Sequence, residues 1–349
     1  VFLGHALLAF ALAALIADWR GWPPRRALTL GLVAAAFAAI PDVDVAYAAV
    51  ALDAGSLTAE SVIEPSTFWD ATRNVHRTIT HSLVVALLAG PAFGLWAGTK
   101  TATPQTQAMG RGLAVVILTA LIIVAYAVSG LLGGVVMGLF AVAGVGVATL
   151  SRWKTEFPAR TVALAATAGL LSHPWGDLLT GDPPGLFYPF GVALFDSRVL
   201  LHADPTLHLL GAFAVELSVI WLAALTIARI SGLSWVELVD RRASVGVAYG
   251  IAALAMAPPT LDVSYHFVFS ILSVGLVCGG LSAGSDRVPA ATELRRRFSR
   301  WSPPLTQRPS ATRDDELLLD WLGVAFTALA GISAALLSYA TVYIVVAAV

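Results

Sequence analysis

Charge is scarce in this sequence. Only 12% of its 349 residues are Asp, Glu, Lys or Arg, about half the share in a typical soluble protein. Hydrophobic residues make up 58%, and mean hydropathy is +0.80. That balance excludes a water-soluble globular fold. Strict polar/apolar alternation is also missing, and a transmembrane β-barrel needs it; here the apolar runs are apolar on every face. With a net charge of −1 there is no basic excess to bind a phosphate backbone, so nucleic acid is excluded as a partner. Cysteine occurs once, at Cys278 inside an apolar run. It excludes an internal disulfide, leaves the redox compartment unread, and reads as a small core residue.

What is abundant is long hydrophobic stretches separated by short charged loops. Backbone groups in hydrocarbon must be satisfied within the element, so the spans are helices. The sequence predicts an all-α, polytopic membrane bundle of about ten helices, near 2–17, 27–40, 81–98, 112–128, 132–150, 161–177, 205–228, 243–257, 266–283 and 321–348. The first run has no basic segment before it and reads as a membrane helix rather than a signal-peptide core. The 112–150 run is too long for one crossing, and Ser129-Gly130 with Gly133-Gly134 offers a turn within it. The second run stops at Pro41, which lacks a backbone donor. Residues 1–204 and 205–349 are expected as two regions, the second with a basic cytoplasmic loop at 285–318.

Lys and Arg are retained on the cytoplasmic side of a membrane. If the N-terminus lies outside, 18 of the 21 basic residues fall in inside loops, leaving only Arg73, Arg77 and Arg198 outside. Both termini are then extracytoplasmic. The same arrangement puts all seven histidines (His5, His76, His81, His173, His202, His208 and His266) at the outer face, together with Asp42, Asp44 and Asp177.

Imidazole and carboxylate together are ligands that Zn²⁺, Mn²⁺ or Fe²⁺ accept, and an open coordination position lets such a metal acidify water. His173 and Asp177 are four apart, but Pro174 disfavours helical geometry at His173, so the helix is expected to break there. Asp42 and Asp44 could both face one cavity if the chain after Pro41 is extended; otherwise only one is a ligand. His76 and His81 diverge on a helix. His76 therefore falls in the loop, and His81 is the firmer ligand.

An early His, Pro41-Asp42-Val43-Asp44, His76-Arg77-Thr78-Ile79-Thr80-His81-Ser82 and His173-x-x-x-Asp177 followed by Tyr188-Pro189-Phe190 form a recognisable combination. Over roughly residues 1–200 it resembles the membrane-bound metal-dependent hydrolases whose bacterial members are described as LexA-regulated inner-membrane proteins. The resemblance implies metal binding by His5, Asp42, His81, His173 and Asp177, with Asp44 and His76 as further or supporting ligands. His-x-x-x-Asp is also similar to an element of zinc-dependent phospholipase C.

The expected activity is hydrolysis of a lipid or lipid-linked phosphoester at the outer boundary of the cell membrane. One or two divalent ions would take part, zinc first, with manganese or iron as alternatives. Arg77 is the first candidate to bind a phosphate oxygen and Arg198 the second; Asp44 is the candidate general base. Arg77 could instead pair with Asp70 or Asp44. Aromatic residues at 187–195 suit the headgroup level, and the 45–75 loop with Phe68 and Trp69 is a candidate cover. Glu216, two helical turns from His208, suggests a polar track, and with it a transporter of metal ions or protons as the alternative class; its plain reading is a protonated, hydrogen-bonded residue. A membrane zinc amidase is the enzymatic alternative, and a metal-stabilised scaffold the third.

Overall fold

The structure is a computed structural model that describes residues 2–47, 77–283 and 313–347. The 45–75 loop beyond Tyr47, His76 and most of the basic 285–318 loop lie outside these. The described residues form helices and turns, with no strand among them. Two compact units are distinguished, Val1–Val199 and Leu200–Val349.

The first unit opens with α1 (Phe2–Trp19) and α2 (Pro24–Ala38), which pack together. After α2 the chain winds into a 3-10 turn, Pro41–Tyr47. Helix α3 (Leu83–Ala97) starts at Ser82, whose Oγ accepts hydrogen bonds from the amides of Val84 and Val85, the arrangement that satisfies otherwise orphaned first-turn donors. Helix α4 spans Pro104–Lys154, but Ser129 and Gly130 leave helical geometry within it. A continuous helix of that length would run about 75 Å. Instead Arg152 near its end donates to Gln107 near its start, at 2.9 Å. The chain therefore reverses at 129–130, where Gly130 takes φ 66°, and α4 is two arms lying side by side.

Helix α5 (Ala159–Ser172) packs against α2 and α3. A Cβ at Gly90 or Gly94 would collide with Thr167 or Ala163 of α5. Small residues four apart thus let the two backbones approach closely, as membrane helices do in the absence of a hydrophobic drive between them. After Ser172 the chain tightens into a second 3-10 turn, His173–Leu179. The core of this unit is built from Phe37, Phe93, Phe140, Met137 and many alanines. Large apolar side chains such as Leu131, Val142 and Leu164 are exposed on its outside, as expected where the solvent is lipid.

The second unit contains α6 (Pro205–Ile230), capped by Asp204, then α7 (Tyr265–Ser282) and α8 (Arg313–Ala347). Phe267, Ile271, Leu336 and Tyr339 form its core. The run near 243–257, expected as a membrane helix, is instead a 3-10 helix over Arg241–Ile251 followed by a single turn, Ala252–Ala255. It lies along α8. Gly246 meets the backbone of Gly331 so closely that no side chain fits there, and glycine favours α-helix poorly.

Among the described residues, five segments are long and apolar enough to cross a membrane: Pro24–Val45, Pro104–Lys154, Pro205–Ile230, Tyr265–Ser282 and Asp320–Ala347. The expected ten reduce to five by this measure for physical reasons. The two arms of α4 count once, and Leu3–Trp19 and Leu83–Ala97 fall short in length. Helix α5 has only 14 residues, and the 243–257 run is not an α-helix.

Candidate metal centre

Four helix ends of the first unit meet at one point. His5 lies in the first turn of α1, Asp42 and Asp44 in the 3-10 turn after α2, His81 just before α3, and His173 with Asp177 in the 3-10 turn after α5. His5, Asp44, His81, His173 and Asp177 are buried.

His173 is the pivot. Its Nδ1 is 2.7 Å from the carbonyl oxygen of Ala38. A carbonyl only accepts, so Nδ1 carries the proton and Nε2 of the neutral ring presents a lone pair. His81 is held in the same way from behind. Thr80 Oγ1 donates to Asp44 Oδ2 at 2.8 Å, which leaves an oxygen lone pair for His81 Nδ1–H at 3.0 Å. With Nδ1 committed on both rings, the two Nε2 atoms face each other at 3.0 Å. Two lone pairs at that distance repel unless a cation or proton lies with them.

Carboxylates complete the ring. Asp42 Oδ1 is 3.4 Å from His173 Nε2 and 4.0 Å from His81 Nε2. Asp177 Oδ2 is 3.2 Å from His81 Nε2 and 3.9 Å from His173 Nε2, and this buried oxygen accepts no hydrogen bond. Zinc bonds of about 2.0–2.1 Å in tetrahedral geometry put neighbouring donors roughly 3.3 Å apart, so these spacings are of the right size. Two overlapping triads of donors can be drawn, Asp42, His81 and His173, and His5, His173 and Asp177, each with its donor atoms within 4.8 Å. The orphaned oxygen, the facing lone pairs and the mixed N/O donor set all fit a divalent transition metal.

Electrostatics act on the donors in different directions: burial opposes protonation of His173, but the Asp42 carboxylate beside it outweighs this and holds that imidazole above its ordinary value. Burial opposes ionisation of Asp177, but the imidazoles of His5 and His81 and the Arg77 guanidinium outweigh it, holding the carboxyl well below the usual carboxylate range. Burial pushes the His81 imidazole below its ordinary value, against the pull of the surrounding carboxylates. The His5 ring also packs on His173, with centroids 4.1 Å apart, and leaves no room for a side chain at Gly176.

The chain belongs to the YdjM inner membrane protein family. The match extends over residues 1–257, farther than the motifs alone delimit. No curated protein and no solved structure matches the chain. The resemblance to LexA-regulated inner-membrane proteins is thus met at the level of the YdjM family, and a membrane location follows from it together with the apolar helices.

Within this YdjM-family chain the expected site residues do not all have the expected neighbours. Arg77 Nη2 is 3.0 Å from Asp177 Oδ1, and Asp70, its other expected partner besides Asp44, lies outside the described residues. Asp44 reaches Thr80, the Arg77 amide and the Nδ1 side of His81, away from the facing Nε2 atoms. The chain after Pro41 is 3-10 rather than extended, which sends Asp42 and Asp44 to opposite sides of the His81 ring. His76 lies outside the described residues. Arg198 is exposed, next to Val199, whose amide donates to Leu178 O.

In the second unit, His208 Nδ1 accepts from the Leu201 amide and His202 Nδ1 from the Asp204 amide, both structural uses. Glu216 is half-buried on α6, and His266 is exposed. Thr80 and the Ala38 carbonyl were not anticipated. Thr80 stands inside the quoted motif and could have been noticed, whereas a backbone carbonyl leaves no sequence signal.

Proposed function

We propose that the chain is a membrane-embedded metal-dependent hydrolase that cleaves a lipid-linked ester, a phosphoester before an amide. The observation that carries this reading is the convergence of Asp42, His81, His173 and Asp177, with two facing imidazole nitrogens and a buried carboxylate oxygen directed at one another. A divalent ion held there, zinc first with manganese or iron as alternatives, supplies a Lewis acid and lowers the pKa of bound water to about 7.

The protein's own residues divide the remaining work. Asp44 and Thr80 hold His81 in one tautomer, and Ala38 does the same for His173. His5 and Arg77 hold Asp177 by its other oxygen. This reading reassigns Asp44 from general base and Arg77 from phosphate anchor to positioning residues. Arg198 keeps the substrate-binding role, being exposed beside the strand of chain that touches Leu178.

A lipid substrate is supported by the segment that leads away from the site. Leu186 is buried, its backbone paired with Leu83, while Phe190, Val192 and Leu194 are exposed on a stretch without regular structure. Such a stretch suits the headgroup level, where backbone remains hydrated and aromatic rings anchor. An outward-facing site is supported by the opposite end of the unit. There Arg26 stacks on Trp22, Arg111 approaches Trp96, and Arg152 donates to Ala97 O. The basic residues gather a helix length away from the donors, and the positive-inside rule makes this a support for donors on the outer side. About ten crossings with both termini outside remain the topology we propose.

The test is metal analysis of detergent-purified protein by elemental mass spectrometry, followed by release of phosphate or headgroup from lipid phosphates in mixed micelles. Wild type should carry a transition metal and turn over substrate; His81→Ala and chelated protein should do neither. Protein that stays metal-free after incubation with zinc and manganese would sink the proposal.

A further inference from the structure

The two donor triads overlap at His173, whose single Nε2 lone pair serves one ion, so a two-metal centre, with ions about 3.5–4 Å apart, would need Asp177 to bridge and His5 to hold the second ion. Arg77 decides how many ions the site accepts. Its Nη2 lies 3.0 Å from Asp177 Oδ1, the same oxygen that faces His5 Nε2 at 3.5 Å. A guanidinium does not lose its proton in a protein. A permanent cation therefore already sits on the donor atom that a second ion between His5 and Asp177 would need.

The surrounding chain is built to keep it there. Arg77 has φ 70°, a left-handed conformation that is unfavourable for a residue with a side chain. Two long-range backbone hydrogen bonds hold that conformation, from the Arg77 amide to Asp44 Oδ2 at 3.3 Å and from the Gly185 amide to Arg77 O at 2.8 Å. Nη1 donates to the carbonyls of Asp177 and Asp182, and Nη2 also donates to Thr180 Oγ1. A side chain at Gly181 would overlap Nη1. With both terminal nitrogens committed and Nε buried, the group is not presented to a substrate.

We infer that the centre is mononuclear, with the Arg77 guanidinium standing where a two-metal site would hold its second ion. Asp177 then bridges two cations of different kinds, giving Oδ1 to the guanidinium and Oδ2 to the metal beside His81 and His173. This rests on the metal-binding reading above.

The experiment uses full-length protein, stripped with chelator, loaded with Mn²⁺ and desalted; metal per chain is read by elemental mass spectrometry and the spin state by electron paramagnetic resonance. Wild type and Arg77→Lys should each hold one ion with an isolated six-line signal. Arg77→Met, which removes the charge and keeps much of the volume, should hold two with an exchange-coupled signal. Two coupled ions in wild type would overturn the inference while leaving the metal reading intact. A folded Arg77→Met protein, judged by gel filtration, that stays at one ion would also overturn it. If that variant does not fold, the other two proteins decide: two ions in either refute it. Wild type that binds none would remove the metal reading, and this inference with it.

Discussion

His81 is controlled by groups on its Nδ1 side, away from the Nε2 atom that faces His173. The relay from its Nδ1 through Thr80 Oγ1 to Asp44 Oδ2 fixes which ring nitrogen carries the proton and how the ring is turned. Removal of such a supporting partner typically costs ~10–100-fold in metal affinity. Thr80→Ala should weaken metal binding by that amount in a chelator competition, and Thr80→Ser should restore it; equal affinities would mean the relay does not orient the ring. The pH dependence has a definite sign. Asp177, held far below its ordinary range, stays ionised across working pH, and its stabilising contribution is lost only in strong acid, as pH falls through its depressed value. The imidazoles therefore set the acid limit. Protons compete with metal for Nε2, and burial pushes the His81 ring below its ordinary value, which makes it resist protonation more than a free imidazole does. Metal retention measured by equilibrium dialysis should fall as pH drops below neutrality and should not fall between neutral and mildly alkaline pH. The ligand types were legible in the sequence because carboxylates and imidazoles are rare in this chain. The division of labour between Asp42 and Asp44 was not, since it depends on a 3-10 turn that two-residue spacing does not reveal.

Helix ends do the positioning, and one helix pair holds two of those ends in register. The close contact of α3 with α5 runs through Gly90 and Gly94, and it fixes His81 at the head of one helix against His173 at the foot of the other. Gly94→Leu should force the pair apart, at a cost of about 1–3 kcal/mol or more, lower the unfolding temperature in detergent, and weaken metal binding as well. Gly138→Leu, at a position with nothing within 4 Å, serves as the control and should do neither. If Gly94→Leu is as stable as the control, the close packing is not what holds the site. The reversal at 129–130 could be read in advance, because a Ser-Gly step interrupts an apolar run too long for one crossing. The 241–251 segment could not. Windings of 3.0 and 3.6 residues per turn leave similar apolar patterns over so short a stretch, and its approach to α8 depends on a glycine 85 positions away, Gly331 against Gly246.

In the first unit, basic residues gather at the end opposite the donors. The proposed orientation can be tested with the chain's own scarcity of thiols, since its one cysteine, Cys278, is buried. Asp196→Cys and Lys154→Cys, both at exposed positions, report on the site end and the basic end of the first unit. A membrane-impermeant maleimide added to intact cells should label the first and reach the second only after permeabilisation; the reverse pattern would turn the protein over. The family and the membrane class were legible from motifs and composition. The number of crossings was less so, because several apolar runs here are shorter than the ~20 residues that span hydrocarbon.

The donors come from the ends of four helices, and that has a consequence for biosynthesis. The ribosome delivers His5, Asp42 and His81 early and His173 with Asp177 only after α5, so the nascent chain passes through several insertion steps carrying unmatched carboxylates and imidazoles. Neither facing nitrogen pair nor bridging carboxylate exists until α5 is seated. On the proposed metal reading, capture is therefore a late event, and a loaded centre would certify that the first unit has been assembled in full.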